Sequence, residues 1–170
     1  HAVTNPDSRG QRNSTIFGIE GESLALARQL EAHQWKVTLV NRHMENLGAN
    51  AAVDAPRIEF MPEITEVALS KLNIGEMESV VLMLSDEENF AICEIIYEQF
   101  GVENVIVRLN ERHNFEAFHQ LGALVVEPAT AMVSLLDQFV RSPFAASLLL
   151  GMDPDEAFAS VLDSIRHITG

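Results

Sequence analysis

Short apolar segments alternate with helical patterns along most of the chain. Residues 36–40 and 79–84 are nearly continuous runs of apolar and β-branched side chains, which is typical of parallel strands covered on both faces. Between such runs, apolar residues recur at spacings of three and four, and this period predicts amphipathic helices. About six alternations with short connections predict an α/β fold, a doubly wound parallel sheet with right-handed crossovers. The predicted strands are residues 15–18, 36–40, 57–60, 79–84, 104–108 and 123–126.

After the last predicted strand the pattern changes to three consecutive amphipathic helices. The first covers residues 129–141, a break at Ser142-Pro143 precedes the second at 144–150, and an acidic cap at 153–156 begins the third. Three helices exceed what one sheet edge can cover, so we expect them to pack against a second copy of the chain. Folding back onto their own sheet is the alternative. The apolar stripe of the first helix is Met132, Leu135, Leu136, Phe139 and Val140.

These patterns divide the chain into three parts. Residues 1–14 are polar and without periodicity, which predicts a flexible tail; residues 15–128 form the Rossmann-like unit; residues 129–170 form the crossover and dimerisation helices. The first residues lack the apolar stretch of a signal peptide, and no apolar run approaches the roughly 20 residues that span a bilayer. Because the chain begins with His1 rather than Met, we expect a fragment of a longer protein or a residue left by a tag.

Charge and cysteine content narrow the function classes. The formal net charge is −14, with 11 Lys and Arg against 25 Asp and Glu. Nucleic acid and anionic membrane surfaces are therefore disfavoured as direct partners, because both require clustered basic side chains. Cys93 is the one cysteine in the sequence, so no disulfide framework exists and a reducing compartment is expected. Its apolar neighbours predict a buried structural thiol rather than a nucleophile.

The turn after the first predicted strand is where a nucleotide phosphate would bind. Dinucleotide-binding turns use the pattern G-x-G-x-x-G, which lets the backbone approach a pyrophosphate at a helix N-terminus. Residues 18–23 read GIEGES, so Gly18 fits the first position, while Glu20 and Ser23 occupy the second and third. Gly21 stands one residue late. A carboxylate about 4 Å from a phosphate charge costs up to ~4 kcal/mol at an effective dielectric near 20.

A second marker of dinucleotide sites is an acid at the end of the second strand, which binds the ribose hydroxyls. Asn41, followed by Arg42, occupies this position. A neutral amide bonds a hydroxyl less strongly than a carboxylate does, so both the ribose and the phosphate contacts are weakened. We expect either weak binding of an adenine nucleotide (AMP, ADP, ATP) or NAD(H), or a crevice that binds no nucleotide.

The order of several segments resembles the RCK family, the regulator of potassium conductance, also called KTN or TrkA-N. Each segment alone is weak evidence, and their order and spacing carry the resemblance, which extends over residues 15–151. The similar segments are residues 16–18 (IFG), 39–42 (LVNR), 80–89 (VVLMLSDEEN), 105–110 (VIVRLN) and 121–128 (LGALVVEP).

The resemblance implies a regulatory domain on the cytoplasmic face of the inner membrane. Its partner would be a potassium channel, a potassium-uptake system or a cation/proton antiporter, and domains fused to antiporters are the most similar. The helix–break–helix at residues 130–150 would form a homodimer whose ligand-sensitive rearrangement gates transport. The implied ligand-facing residues are Gly18, Ile19, Glu20, Ser23, Asn41, Arg42, Ser85, Asp86 and Arg108.

The sequence departs from this family in its missing second and third glycines, its missing ribose-binding acid and Met61-Pro62-Glu63, where Gly-Asp is usual. Other groups of residues could indicate a metal site or a reaction centre. His113 and His119 are six residues apart, which is poor spacing for one metal ion, and Glu20 with Glu22 is a weak candidate for a divalent cation. Ser85 to Glu88 form a capping box, and its acids complement the helix dipole. No metal site and no catalytic residue is predicted. A small nicotinamide-dependent oxidoreductase and a dimerisation scaffold without ligand remain as alternatives.

Overall fold

A computed structural model of the chain describes residues 10–43 and 56–144. In this part of the chain all six strands form one parallel sheet in the order β3-β2-β1-β4-β5-β6. The order reverses between β1 and β4, which confirms the predicted doubly wound architecture. The strands are β1 (Asn13–Phe17), β2 (Lys36–Asn41), β3 (Arg57–Phe60), β4 (Ser79–Leu82), β5 (Asn104–Arg108) and β6 (Leu124–Val126).

Helices connect the strands. Short 3-10 turns lie at Ile74–Glu76 and Arg112–Asn114, and a π-helical turn, Ile96–Phe100, continues the third helix. The helices predicted at residues 144–150 and from residue 153 lie outside the described residues, except that Phe144 is described as exposed. The α-helices are α1 (Gly21–Ala32), α2 (Glu66–Lys71), α3 (Asp86–Ile95), α4 (Phe115–Leu121) and α5 (Pro128–Arg141).

The predicted tail extends too far at its C-terminal end. β1 begins at Asn13, and Ser14 is fully buried within it. The hydroxyl of Ser79 on β4 donates a hydrogen bond to the Ser14 hydroxyl at 2.9 Å, so a polar pair occupies a core position. Because the pair is polar, the apolar pattern gave no sign that the strand had already begun.

The core lies on both faces of the sheet, since successive strand residues point to opposite sides. On one face Ile16, Leu39 and Val81 pack with α1. On the other face Phe17, Leu82 and their neighbours pack with α2, α3 and α4. Cys93 of α3 is buried in this second layer, and burial raises the pKa of its thiol to about 12. This environment confirms the predicted structural thiol.

The chain forms two compact units, His1–Val126 and Glu127–Gly170. In the described part of the second unit, α5 buries Phe139 and leaves Val133, Leu135 and Val140 exposed. Among residues 10–43 and 56–144, no helix has both the length and the apolar character of a membrane span.

Candidate functional site

A cleft of about 580 Å³ lies at the carboxyl ends of the strands, where the sheet order reverses. Ligands of open α/β sheets bind at this place. The cleft is formed by the segments that follow β1, β2, β4 and β5. Every predicted ligand-facing residue except Ser23 lines it, namely Gly18, Ile19, Glu20, Asn41, Arg42, Ser85, Asp86 and Arg108.

Gly18 makes the first turn. Its φ is +130°, a conformation that residues with a Cβ rarely adopt. An added Cβ would lie 2.9 Å from the Ser23 hydroxyl and 3.2 Å from the Met83 carbonyl oxygen. Ser23 is buried behind this turn, where its hydroxyl contacts the sulfur of Met83 at 3.7 Å. Ser23 therefore does not line the cleft in this structure, and it packs against the turn that shapes the cleft.

Helix α1 presents its N-terminus at this turn. The first helical bond runs from Leu24 N–H to the Glu20 carbonyl at 3.0 Å, so the amides of residues 21–23 precede the helical ladder. In the described structure the Glu20 side chain makes no capping hydrogen bond. The amides and the helix dipole favour an anion here, while the exposed carboxylates of Glu20 and Glu22 oppose one.

The side-chain amide of Asn41, at the end of β2, forms two hydrogen bonds within the protein. Its oxygen accepts a hydrogen bond from the His43 backbone N–H at 2.9 Å, and its nitrogen donates to the His43 carbonyl oxygen. Asn41 is also only 2% exposed. Although Asn41 lines the cleft, its side chain holds the turn after β2, so the expected hydroxyl contact would require this turn to open.

Arg42 and Glu88 form an ion pair between the end of β2 and the first turn of α3. Arg42 also donates to the Pro62 carbonyl oxygen at 2.8 Å. Ser85 caps α3, accepting from the Glu88 N–H at 3.2 Å, while its hydroxyl donates to the Glu88 carboxylate at 2.8 Å. The predicted capping box is confirmed. Burial alone would raise the pKa of Glu88, but hydrogen bonds from Arg42 and Ser85 hold it below its ordinary value.

Arg108 joins three segments of the cleft. Its guanidinium donates to the Met83 carbonyl oxygen at 2.9 Å and lies within 3.4 Å of the Leu84 carbonyl and the Asn110 side-chain oxygen. It also pairs with the Glu22 carboxylate of α1 at 3.5 Å. A positive charge therefore stands beside the N-terminal turn of α1, where it counters the acids of that turn.

Asp86 organises the loop after β5. Its carboxylate accepts from the backbone N–H groups of Asn110 and Glu111 at 2.9 and 2.8 Å. It also accepts from the side-chain amides of Asn110 and Asn114 at 3.0 and 2.8 Å. Burial alone would raise the pKa of Asp86, but these hydrogen bonds outweigh it and lower the pKa. Asp86 thus holds the loop after β5 in place, and this loop forms one wall of the cleft.

The cleft also has polar residues that were not among the predicted ligand-facing ones, namely His43, Glu88, Asn110 and Glu111. The sequence predicts Glu88 as a helix-capping acid, and the fold adds its ion pair with Arg42. Among the described residues, no three His, Cys, Asp or Glu side chains are grouped as a metal site requires. His119 stacks on Phe115 with ring centroids 5.5 Å apart.

Together the parallel sheet, the reversal point and the glycine turn define a Rossmann-like domain. Residues 15–128 match the TrkA-N domain family. The chain belongs to this family. A search of curated protein sequences found no similar protein.

Solved structures with the same fold include a domain of the GsuK channel. The GsuK RCK domain aligns with a TM-score of 0.65 and 19% identity, over 72% of this chain and 27% of that one. The chain therefore spans about a quarter of the GsuK chain. Further GsuK structures are bound to ADP and to NAD.

Two other relatives are similar over nearly their whole length. The Kef C-terminal domain of Shewanella denitrificans, in an AMP-bound form, has a TM-score of 0.58 and 13% identity over 92% of both chains. The TrkA-N domain of the inner membrane protein YbaL from Escherichia coli has a TM-score of 0.63 and 12% identity. That alignment covers 75% of this chain and 95% of that one. At these identities the similarity establishes the fold.

Proposed function

We propose that this chain is a non-catalytic regulatory domain of a potassium or other monovalent-cation transport system, either a channel, an uptake system or a cation/proton antiporter. It acts at the cytoplasmic face of the inner membrane and responds to an adenine nucleotide bound in the cleft. The observation that carries the proposal is the open cleft at the reversal point of a TrkA-N sheet. Such a domain needs no reactive group, because it acts by coupling ligand binding to a change in its assembly.

The charges of the cleft favour a ligand with few phosphates. Arg108 supplies positive charge beside the α1 N-terminus, while Glu20 and Glu22 add negative charge to the same turn. A single phosphate can be placed near the guanidinium and the helix amides without approaching both carboxylates. AMP is therefore the preferred ligand among AMP, ADP, ATP and NAD(H). Kef in its AMP-bound form supports this choice by analogy.

Titration of the 170-residue chain with AMP, ADP and NAD⁺ in a calorimeter tests the ligand. We expect AMP to bind with a Kd of about 10 µM to 1 mM, since the weakened contacts cost about 1–2 kcal/mol. At 100 times Kd, binding raises the free energy of unfolding by about 2.7 kcal/mol, which thermal unfolding detects. Absence of binding by all three nucleotides would favour a ligand-free dimerisation scaffold. Turnover of NADH would favour the oxidoreductase instead.

We propose that the domain acts as a homodimer formed through α5. The helix exposes Val133 and Val140, which lie on one face of α5 because they are seven residues apart, and Val140 is 73% exposed. Large apolar side chains grouped on an exposed helix are characteristic of protein interfaces. A second copy of the chain presents the same surface, so an isologous pair would bury these side chains. A nucleotide that changes the angle between the two copies would then bias the attached transporter.

Val140→Glu is expected to convert the dimer to a monomer in analytical ultracentrifugation, because a buried unpaired carboxylate opposes association. The side chain is exposed in the single chain, so the fold should be retained. Gln138→Glu is the matched control, since it adds the same charge at an exposed position of α5, about 160° around the helix from Val140. A Val140→Glu chain that remains dimeric would contradict the proposed interface.

A further inference from the structure

We propose that Glu88, from the first turn of α3, replaces the acid that is missing at the end of β2 and selects adenosine ligands whose ribose hydroxyls are free. This inference rests on the proposed nucleotide function. In other dinucleotide sites an acid at the end of the second strand binds the ribose hydroxyl. We assign this role to Glu88.

The position of Glu88 follows from its contact with Arg42. Arg42 comes directly after β2, and its guanidinium is fixed on one side by the Pro62 carbonyl oxygen at 2.8 Å. The Glu88 carboxylate pairs with the same guanidinium, so it is brought to the end of β2 although it belongs to α3. Both side chains line the cleft beside Asn41. A carboxylate therefore stands next to the place where a ribose-binding acid is expected.

The Glu88 carboxylate retains capacity for a ligand. One oxygen accepts from Arg42 and the other from the Ser85 hydroxyl at 2.8 Å. The Ser85 backbone N–H also donates to this carboxylate. Three of the four lone pairs of the two oxygens are therefore used, and one acceptor site is left. The side chain is 27% exposed, which leaves it open to the cleft. Its lowered pKa keeps it ionised at neutral pH.

Other polar groups of the cleft are less suited to this role. The Asn41 amide hydrogen-bonds to the His43 backbone through both its oxygen and its nitrogen, and the residue is only 2% exposed. The Asp86 carboxylate accepts four hydrogen bonds from the loop after β5. Glu20 immediately precedes α1, in the turn where the phosphate would bind. Glu88 is thus the acid at the β2 end of the cleft whose remaining lone pair can accept from a ribose hydroxyl.

The arrangement predicts rejection of a 2′-phosphate. In sites that accept such a phosphate, an arginine after the second strand supplies the positive charge. Arg42 stands at this position, but Glu88 already neutralises it. A 2′-phosphate would meet the Glu88 carboxylate and compete for a guanidinium that is not free. Removing the Glu88 charge should release Arg42 and reverse this selection.

Isothermal titration of the 170-residue chain with AMP, 2′-deoxy-AMP and adenosine 2′,5′-bisphosphate tests the inference. We expect the wild-type chain to bind AMP about tenfold more tightly than either analogue. Glu88→Gln should lose most of the discrimination against 2′-deoxy-AMP and should bind the bisphosphate about tenfold more tightly than wild type. Glu87→Gln is the matched control, since it removes a charge from an exposed residue of the same helical turn, and it should retain the wild-type order of affinities.

The outcomes separate the two proposals. Equal binding of AMP and both analogues by the wild-type chain overturns the role of Glu88, and this measurement needs no variant. Unchanged discrimination in a folded Glu88→Gln chain also overturns it. Failure of the wild-type chain to bind any adenine nucleotide overturns the proposed function, and the specificity inference with it. Binding of AMP with the wrong selectivity leaves the proposed function intact.

Discussion

Replacing Gly18 with alanine is expected to lower the free energy of unfolding by about 3 kcal/mol, because backbone strain and a steric clash combine. The φ of +130° is outside the region that alanine adopts without cost. The new Cβ would lie 3.2 Å from the Met83 carbonyl oxygen and 2.9 Å from the Ser23 hydroxyl. Ser23 is buried and has little room to move, and the Met83 carbonyl is backbone that also accepts from Arg108.

Thermal and urea unfolding of Gly18→Ala measure this loss, which corresponds to a fall in Tm of about 6–12 °C for a chain of this size. Gly21→Ala is the matched control at the start of α1. An added Cβ at Gly21 has no neighbour within 4 Å in the described structure, so its effect should stay within about 1 kcal/mol. Equal stability of Gly18→Ala and wild type would show that the turn tolerates a side chain.

Replacing Asp86 with alanine is expected to cost about 2 kcal/mol at neutral pH. The variant leaves two backbone N–H groups, of Asn110 and Glu111, without the acceptor that holds the loop after β5. It also releases the side chain of Asn114. Hydrogen bonds to charged groups are among the stronger ones, and the partly exposed position reduces the loss. The adjacent Glu87→Ala, an exposed position, should stay within about 0.5 kcal/mol of wild type.

The cost of Asp86→Ala should depend on pH. The folded state lowers the pKa of Asp86 below the ordinary value of 3.8, so ionised Asp86 stabilises the fold. This contribution is complete above the ordinary pKa and disappears as the pH falls through the lowered one. Urea unfolding of both chains at a series of pH values should give a constant difference at neutral and mildly acidic pH. A difference that grew below pH 3.8 would contradict this assignment.

The sheet could be predicted because its determinants are local. Apolar runs mark β2 and β4, and the helical spacing between them forces parallel strands with crossover connections. Where polarity concealed the core, prediction failed: Ser14 belongs to β1 although its side chain resembles that of a tail residue. Local pattern cannot show that a buried hydroxyl has found a partner on another strand.

The place of the site was also predictable, because the carboxyl ends of parallel strands meet at one edge of the sheet. The function of single side chains there was not. Asn41 and Asp86 line the cleft but bind neighbouring backbone, and Ser23 packs behind the first turn. The Arg42–Glu88 pair joins residues far apart in the chain. These hydrogen bonds and this ion pair depend on which residues are close in the folded chain, and the spacing of residues along the sequence does not show that.

Arg108 has a consequence for how this domain can diverge among its relatives. Its guanidinium touches the first turn of α1 through Glu22, the end of β4 through Met83 and the loop after β5 through Asn110. A lysine offers a single nitrogen and cannot reproduce several directional contacts at once. An insertion or deletion in any of these loops would therefore have to be matched in the others, and the three should covary as one evolutionary unit.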